Sequence, residues 1–170
     1  MFWKYFTLLG EIFLFIPAFL LIFFINPNSI YWYGLLNYLV NFFYNYLGFF
    51  LTKDQIFILL FYFFCLLAVD FIGSLIKVFF FKPRPNPMEY KNFIEKVLAW
   101  SFPSLHSART FLLVLMALAF TNYYIAWVYF IFWLMIAYSR IYLKKHYWTD
   151  IAGGVILAIL VFILLYKILI

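Results

Sequence analysis

The chain has 170 residues, of which 69% are hydrophobic and 28% aromatic, with only 11% charged and a mean hydropathy of +1.05. Soluble domains run near half apolar and a quarter charged, so this composition excludes a soluble domain, a disordered chain and a disulfide-stapled scaffold alike. A membrane-crossing helix consumes roughly 20 apolar residues, which leaves room for about five or six spans and no separate aqueous domain.

In chain order, apolar runs at 6-25, 33-51, 55-81, 104-121, 123-142 and 149-169 predict six spanning helices. The first follows Lys4 and carries Glu11; it is too long for a signal core and no small-residue cleavage site follows, so it reads as a span. In the second, Asn37, Asn41 and Asn45 recur every four residues and set three amides on one face, which reads as a helix contact. The third holds the single cysteine, Cys65, as a small buried apolar residue, and Asp70 two turns before Lys77. Arg109, in the fourth span, is a candidate partner for Asp70. Four of the five connections are short, so successive helices are expected to be antiparallel neighbours in one bundle.

The stretch 82-103 is the only connection of any size. Three prolines in Lys82-Pro83-Arg84-Pro85-Asn86-Pro87 keep its first part out of helix. From 89 to 100, apolar residues at helical spacing opposite Lys91, Glu95 and Lys96 predict a short amphipathic helix in the head-group plane. Trp3, Trp32, Trp100 and Trp148 sit near span ends as interface anchors. The expected fold is therefore all-α, a polytopic six-transmembrane-helix bundle with a short interfacial helix, forming a single membrane-embedded domain over 1-170.

Two spans separate the 82-103 loop from the 143-148 connection, so both should emerge on one side. That side gathers most of the lysines and arginines and both histidines, His106 and His146. The net charge of +6 is thus concentrated beside lipid head groups, which makes lipid phosphate rather than nucleic acid the implied partner.

Ionisable groups at a bilayer are costly, so a cluster of them is a functional candidate. Lys77, six residues, then Arg84-Pro85 is one group; taken alone, Lys77 reads as a snorkelling lysine and Arg84 as a loop charge. Pro103-Ser104-Leu105-His106 opens the fourth span, where free N–H groups and a hydroxyl suit either an anion or an ordinary cap. Ser139-Arg140, five residues, His146, three residues, Asp150 is the third. One helical turn separates His146 from Asp150, so the carboxylate can accept from one ring nitrogen and leave the other as nucleophile or base. The same pair could be half a metal site, but its neighbours are cationic and no further ligand except His106 accompanies it, so no metal or other cofactor is expected.

Together these groups resemble the type 2 phosphatidic acid phosphatase family, whose pattern is Lys, six residues, Arg-Pro; then Pro-Ser-Gly-His; then Ser-Arg, five residues, His, three residues, Asp. The resemblance spans 77-150 and departs at Leu105, where the family usually has glycine. It implies a metal-independent lipid phosphatase working through a phosphohistidine. His146 would be the nucleophile, Asp150 its orienting carboxylate and His106 the acid and then base. Lys77, Arg84, Ser104, Arg140 and the backbone at Leu105 would hold the phosphate. Implied substrates are phosphatidylglycerol phosphate, undecaprenyl pyrophosphate, phosphatidic acid and lipid A 1-phosphate; the short loops and additional lysines favour the bulky lipid A head group. Leu105 keeps a head-group phosphotransferase open, and a non-catalytic lipid-binding bundle is the reading from another class. The positive-inside rule would put the basic face in the cytoplasm. The resemblance instead implies a bacterial inner-membrane protein whose site faces the periplasm, since phosphate-binding cations distort that count.

Overall fold

The computed structural model describes residues 36–47, 52–87 and 89–169. Among them it contains helices only: α1 (Leu36–Leu47), α2 (Lys53–Phe80), α3 (Phe93–Ala99), α4 (Leu105–Phe120), α5 (Tyr123–Tyr142) and α6 (Trp148–Leu169). The predicted 6-25 span, with Glu11, Trp3 and Trp32, lies outside the described residues. Helices α2, α5 and α6 are long and apolar enough to cross a membrane, and the protein is a multi-pass membrane protein. With 28 residues, α2 rises about 42 Å against a hydrocarbon core of about 30 Å, so its ends reach the head-group layers.

Local chemistry sets the helix ends. Thr52 and Gln55 form a reciprocal capping box at the start of α2. Phe81, in left-handed conformation at φ 39°, closes the helix just ahead of the prolines. Asn122 Oδ1 accepts from Ile125 N–H to start α5. The amphipathic helix is shorter than the sequence suggests, seven residues rather than 89-100. Asn92 must be extended to cap it and Trp100 is extended to lead into Ser101, so both ends of the predicted stretch leave the helix.

Helix α4 is central, packed between α2, α5 and α6; α6 also packs on α2, and α1 on α2. Helices in lipid associate through close packing more than through apolar transfer, which favours small residues at contacts. Gly73 receives the Leu105 side chain, and Gly154 lies against the Ser104 carbonyl, where an added Cβ would stand 2.4 Å away. At the other end of the bundle, buried Phe61 makes edge-on ring contacts with Phe120 and Phe162 at 5.8 and 5.6 Å. Cys65 is buried. Arg109 Nε donates to Asp70 Oδ1 at 2.7 Å, joining α4 to α2 by the expected pair. Of the predicted amide stripe, Asn41 and Asn45 are exposed, and among the described side chains of α1 Val40 is buried.

Candidate active site

The three polar groups converge at one end of the bundle because short backbone bonds tie their loops together. Asn86 N–H donates to the Lys144 carbonyl at 3.0 Å, fastening the proline segment to the turn after α5. Ser101 N–H donates to the Lys82 carbonyl at 2.8 Å, and its hydroxyl reaches the carbonyls of Lys82 and Pro83. Ser104 N–H donates to the Asp150 carbonyl at 2.9 Å, pinning the start of α4 to the start of α6. The loops at 82-103 and 143-147 are thus in direct contact, on the same side.

Lys77 does not snorkel outward. It is 4% exposed, and its ammonium donates to the Trp100 carbonyl at 2.5 Å, so Trp100 does more than anchor an interface. Arg140, in the last turn of α5, is 2% exposed and among the largest fully buried side chains. Its carbonyl accepts from Lys145 and His146 N–H at 3.0 and 3.3 Å. Lys144 takes φ 53° to make that turn, which folds His146 back over the end of α5. Ser104 caps α4 without a side-chain cap bond, and its buried hydroxyl has no hydrogen-bond partner among the described residues. Beside it are the first-turn N–H groups of α4, which lack intrahelical acceptors. His106, half-buried in that turn, lies within the electrostatic reach of Arg140, Arg109 and His146.

The expected His146–Asp150 hydrogen bond is not made. His146 Nδ1 stands 3.7 Å from Asp150 Oδ2, but 2.8 Å from the Ser101 carbonyl. The one-turn spacing fails here because α6 begins at Trp148, leaving His146 outside the helix. Asp150 instead accepts from Tyr147 N–H at 2.8 Å and from the Lys82 ammonium at 2.6 Å. A carbonyl only accepts, so Nδ1 carries the proton and Nε2 keeps its lone pair. The backbone of Ser101, not Asp150, fixes the tautomer.

A family model of the PAP2 superfamily matches residues 58–169, which include all three groups. The chain belongs to the PAP2 superfamily. It is 33% identical over 97 residues to undecaprenyl-diphosphatase BcrC of Bacillus subtilis (strain 168), an alignment covering 56% of this chain and 50% of that protein. The chain thus spans about half the length of the curated relative it matches. Its fold is similar to that of a transmembrane PAP2-type phosphatidylglycerolphosphate phosphatase from Bacillus subtilis, with a TM-score of 0.51 and 17% identity over 96% of this chain and 92% of the other.

Within this candidate site, Leu105 is the first residue of α4, an ordinary helical position, so a side chain there meets no backbone penalty. The leucine packs on Gly73. Burial, first, and then the charges of Arg84 and Lys77 hold His146 below the ordinary imidazole range; Asp150 works in the opposite direction. Among the described residues no group of three or more His, Cys, Asp or Glu side chains gathers as metal ligands. An apolar groove of about 340 Å³ runs between α2 and α6 from Phe102, Pro103 and Gly153 towards Leu164. Sequence reasoning did not single out Ser101, whose backbone carbonyl has no residue-type signature. By sequence, Lys82 reads, with Lys144 and Lys145, as a candidate holder of additional head-group phosphates rather than as a partner of Asp150.

Proposed function

We propose that this PAP2 protein is a membrane lipid phosphatase in which His146 Nε2 attacks phosphorus. The observation that carries the reading is the buried imidazole whose Nδ1 is held by the Ser101 carbonyl, set among Lys77, Arg84 and Arg140. In the first step an Nε2–P bond forms and the P–O bond to the lipid breaks, while protonated His106 gives its proton to the departing oxygen. In the second, water attacks phosphorus, His106 takes the proton back from that water, and the N–P bond breaks to release phosphate. Asp150, 3.7 Å from Nδ1, offsets the positive charge on the phosphorylated ring. Lys77, Arg84, Arg140, the Ser104 hydroxyl and the N–H groups around Leu105 hold the equatorial oxygens. The donor set needs no metal to neutralise the phosphoryl charge.

The substrate is a phosphorylated or pyrophosphorylated lipid whose chain lies along the groove that opens at Phe102 and Pro103. Similarity to a protein named for undecaprenyl diphosphate favours a polyprenyl diphosphate over the lipid A head group. The site faces the periplasm. Phosphate release from purified undecaprenyl diphosphate, phosphatidylglycerol phosphate, phosphatidic acid and lipid A 1-phosphate, with and without chelator, tests the reading. Release unaffected by chelator and lost in His146→Ala, His106→Ala and Arg140→Ala is expected; full turnover by His146→Ala contradicts it. Adding an acceptor lipid and analysing products separates hydrolysis from head-group transfer.

A further inference from the structure

We propose that Lys82 is a positioning residue whose ammonium keeps His146 in its neutral, nucleophilic form, acting through Asp150. The inference rests on the reading of His146 as nucleophile. The Lys82 ammonium lies 2.6 Å from Asp150 Oδ1 and 2.6 Å from Thr149 Oγ1. It also stands over the Tyr147 ring at 4.7 Å and the Phe102 ring at 5.9 Å, so partners on the loop and on α6 fix it. The same residue's carbonyl accepts from Ser101 N–H and hydroxyl, and the Ser101 carbonyl takes His146 Nδ1. Lys82 therefore holds both neighbours of that ring nitrogen.

The chemistry follows from the burial of Asp150, whose side chain is 0% exposed. A buried carboxylate needs a cation beside it, and Lys82 supplies one. Without Lys82, Asp150 keeps the through-space charges of Lys77 and Arg84, and the imidazole 3.7 Å away is a group that can offset it further by taking up a proton on Nε2, turning both ring nitrogens into donors. An imidazolium has no lone pair with which to attack phosphorus. The other titratable and charged groups around His146 are Lys77 from α2, Arg84 from the loop, His106 from α4 and Arg140 from α5, whose carbonyl accepts from His146 N–H. Burial and the cations disfavour a charged ring while Asp150 favours one, so the charge that loss of Lys82 leaves uncompensated on Asp150 works directly against them.

The test is kcat and KM against pH for purified full-length Lys82→Met, Lys82→Gln and Lys82→Arg, with undecaprenyl diphosphate as substrate. Loss of the lysine charge stabilises the imidazolium, so the acid limb of kcat moves to higher pH. We expect a shift of about one unit, or tenfold in kcat on the acid side, recovered at alkaline pH, with KM within about twofold of wild type. Lys82→Arg keeps the wild-type profile. In a background of Asp150→Asn, Lys82→Met adds no further acid shift, because the carboxylate that would charge the ring is gone. A raised KM with an unmoved acid limb would make Lys82 a direct phosphate ligand and overturn the proposal. So would a loss equal at every pH, an unchanged Lys82→Met, or a failure of all three variants to fold. His146→Ala in the same series keeps the two ideas apart: if it is active, the nucleophile reading fails, whatever Lys82 does.

Discussion

His146 owes its state to a backbone carbonyl and to burial, and both make predictions. Because its folded-state proton affinity is lowered, the neutral ring persists below the ordinary imidazole value of about 6.5. Activity that depends on the neutral ring is retained down through pH 6.5 and lost only as pH falls through the lower folded value. The same sign applies to stability: the unfolded chain binds the proton first, so folding free energy from this group falls as pH drops below about 6.5. A kcat profile and a thermal melt against pH check the two. Ser104 offers a cleaner separation. Its hydroxyl has no hydrogen-bond partner among the described residues, so Ser104→Ala should leave the melting temperature nearly unchanged. A lost hydrogen bond to a charged group costs about 1.5–3 kcal/mol, so its turnover should fall roughly ten- to a hundredfold; a large melting shift with normal turnover would make Ser104 structural. The residues of the candidate site were legible as a group because three spaced motifs carry them. The partner of Nδ1 was not, since any residue at 101 would present the same carbonyl.

Helix ends decide what the motifs can do. The four-residue step from His146 to Asp150 promised a hydrogen bond only if both lay in one helix, and the turn that starts α6 at Trp148 separates them. Composition and periodicity located the long helices well: α5 occupies 123-142 as read from the sequence. They overran the interfacial helix, whose limits depend on the Asn92 cap and on the extended Trp100. The contact of α4 with α6 at Gly154 carries its own prediction. A methyl group there would meet the Ser104 carbonyl at 2.4 Å, a backbone atom that cannot step aside. Gly154→Ala should therefore push apart the starts of α4 and α6, break the Ser104–Asp150 bond and reduce both turnover and melting temperature. Overpacking of this kind costs about 1–3 kcal/mol; a variant with unchanged activity would show that the helix starts tolerate separation.

At the scale of the whole molecule, a chain with only 11% charged residues brings Lys77, Lys82, Arg84, Arg140 and Asp150 to one end of the bundle. Lys53, Asp54 and Lys167 mark the opposite helix ends, and the Asp70–Arg109 pair lies between. The lipid-facing sides of α2, α5 and α6 show exposed Phe71, Trp127 and Leu160, which in water would drive aggregation and in a bilayer are ordinary surface. Which face of the membrane holds the site is tested by Asn86→Cys. Asn86 is exposed and the native Cys65 is buried, so a membrane-impermeant thiol reagent applied to intact cells should label only the introduced cysteine if the site faces outward. Labelling that requires cell lysis would reverse the orientation. The central claim is that phosphoryl passes through His146 Nε2. Its most direct test is acid-labile phosphate on the protein, trapped by rapid quenching during turnover of labelled undecaprenyl diphosphate and located by peptide mass spectrometry. The account predicts phosphate on His146, absent from His146→Ala and formed equally well in chelator. An enzyme that turns over with His146 never phosphorylated would contradict it.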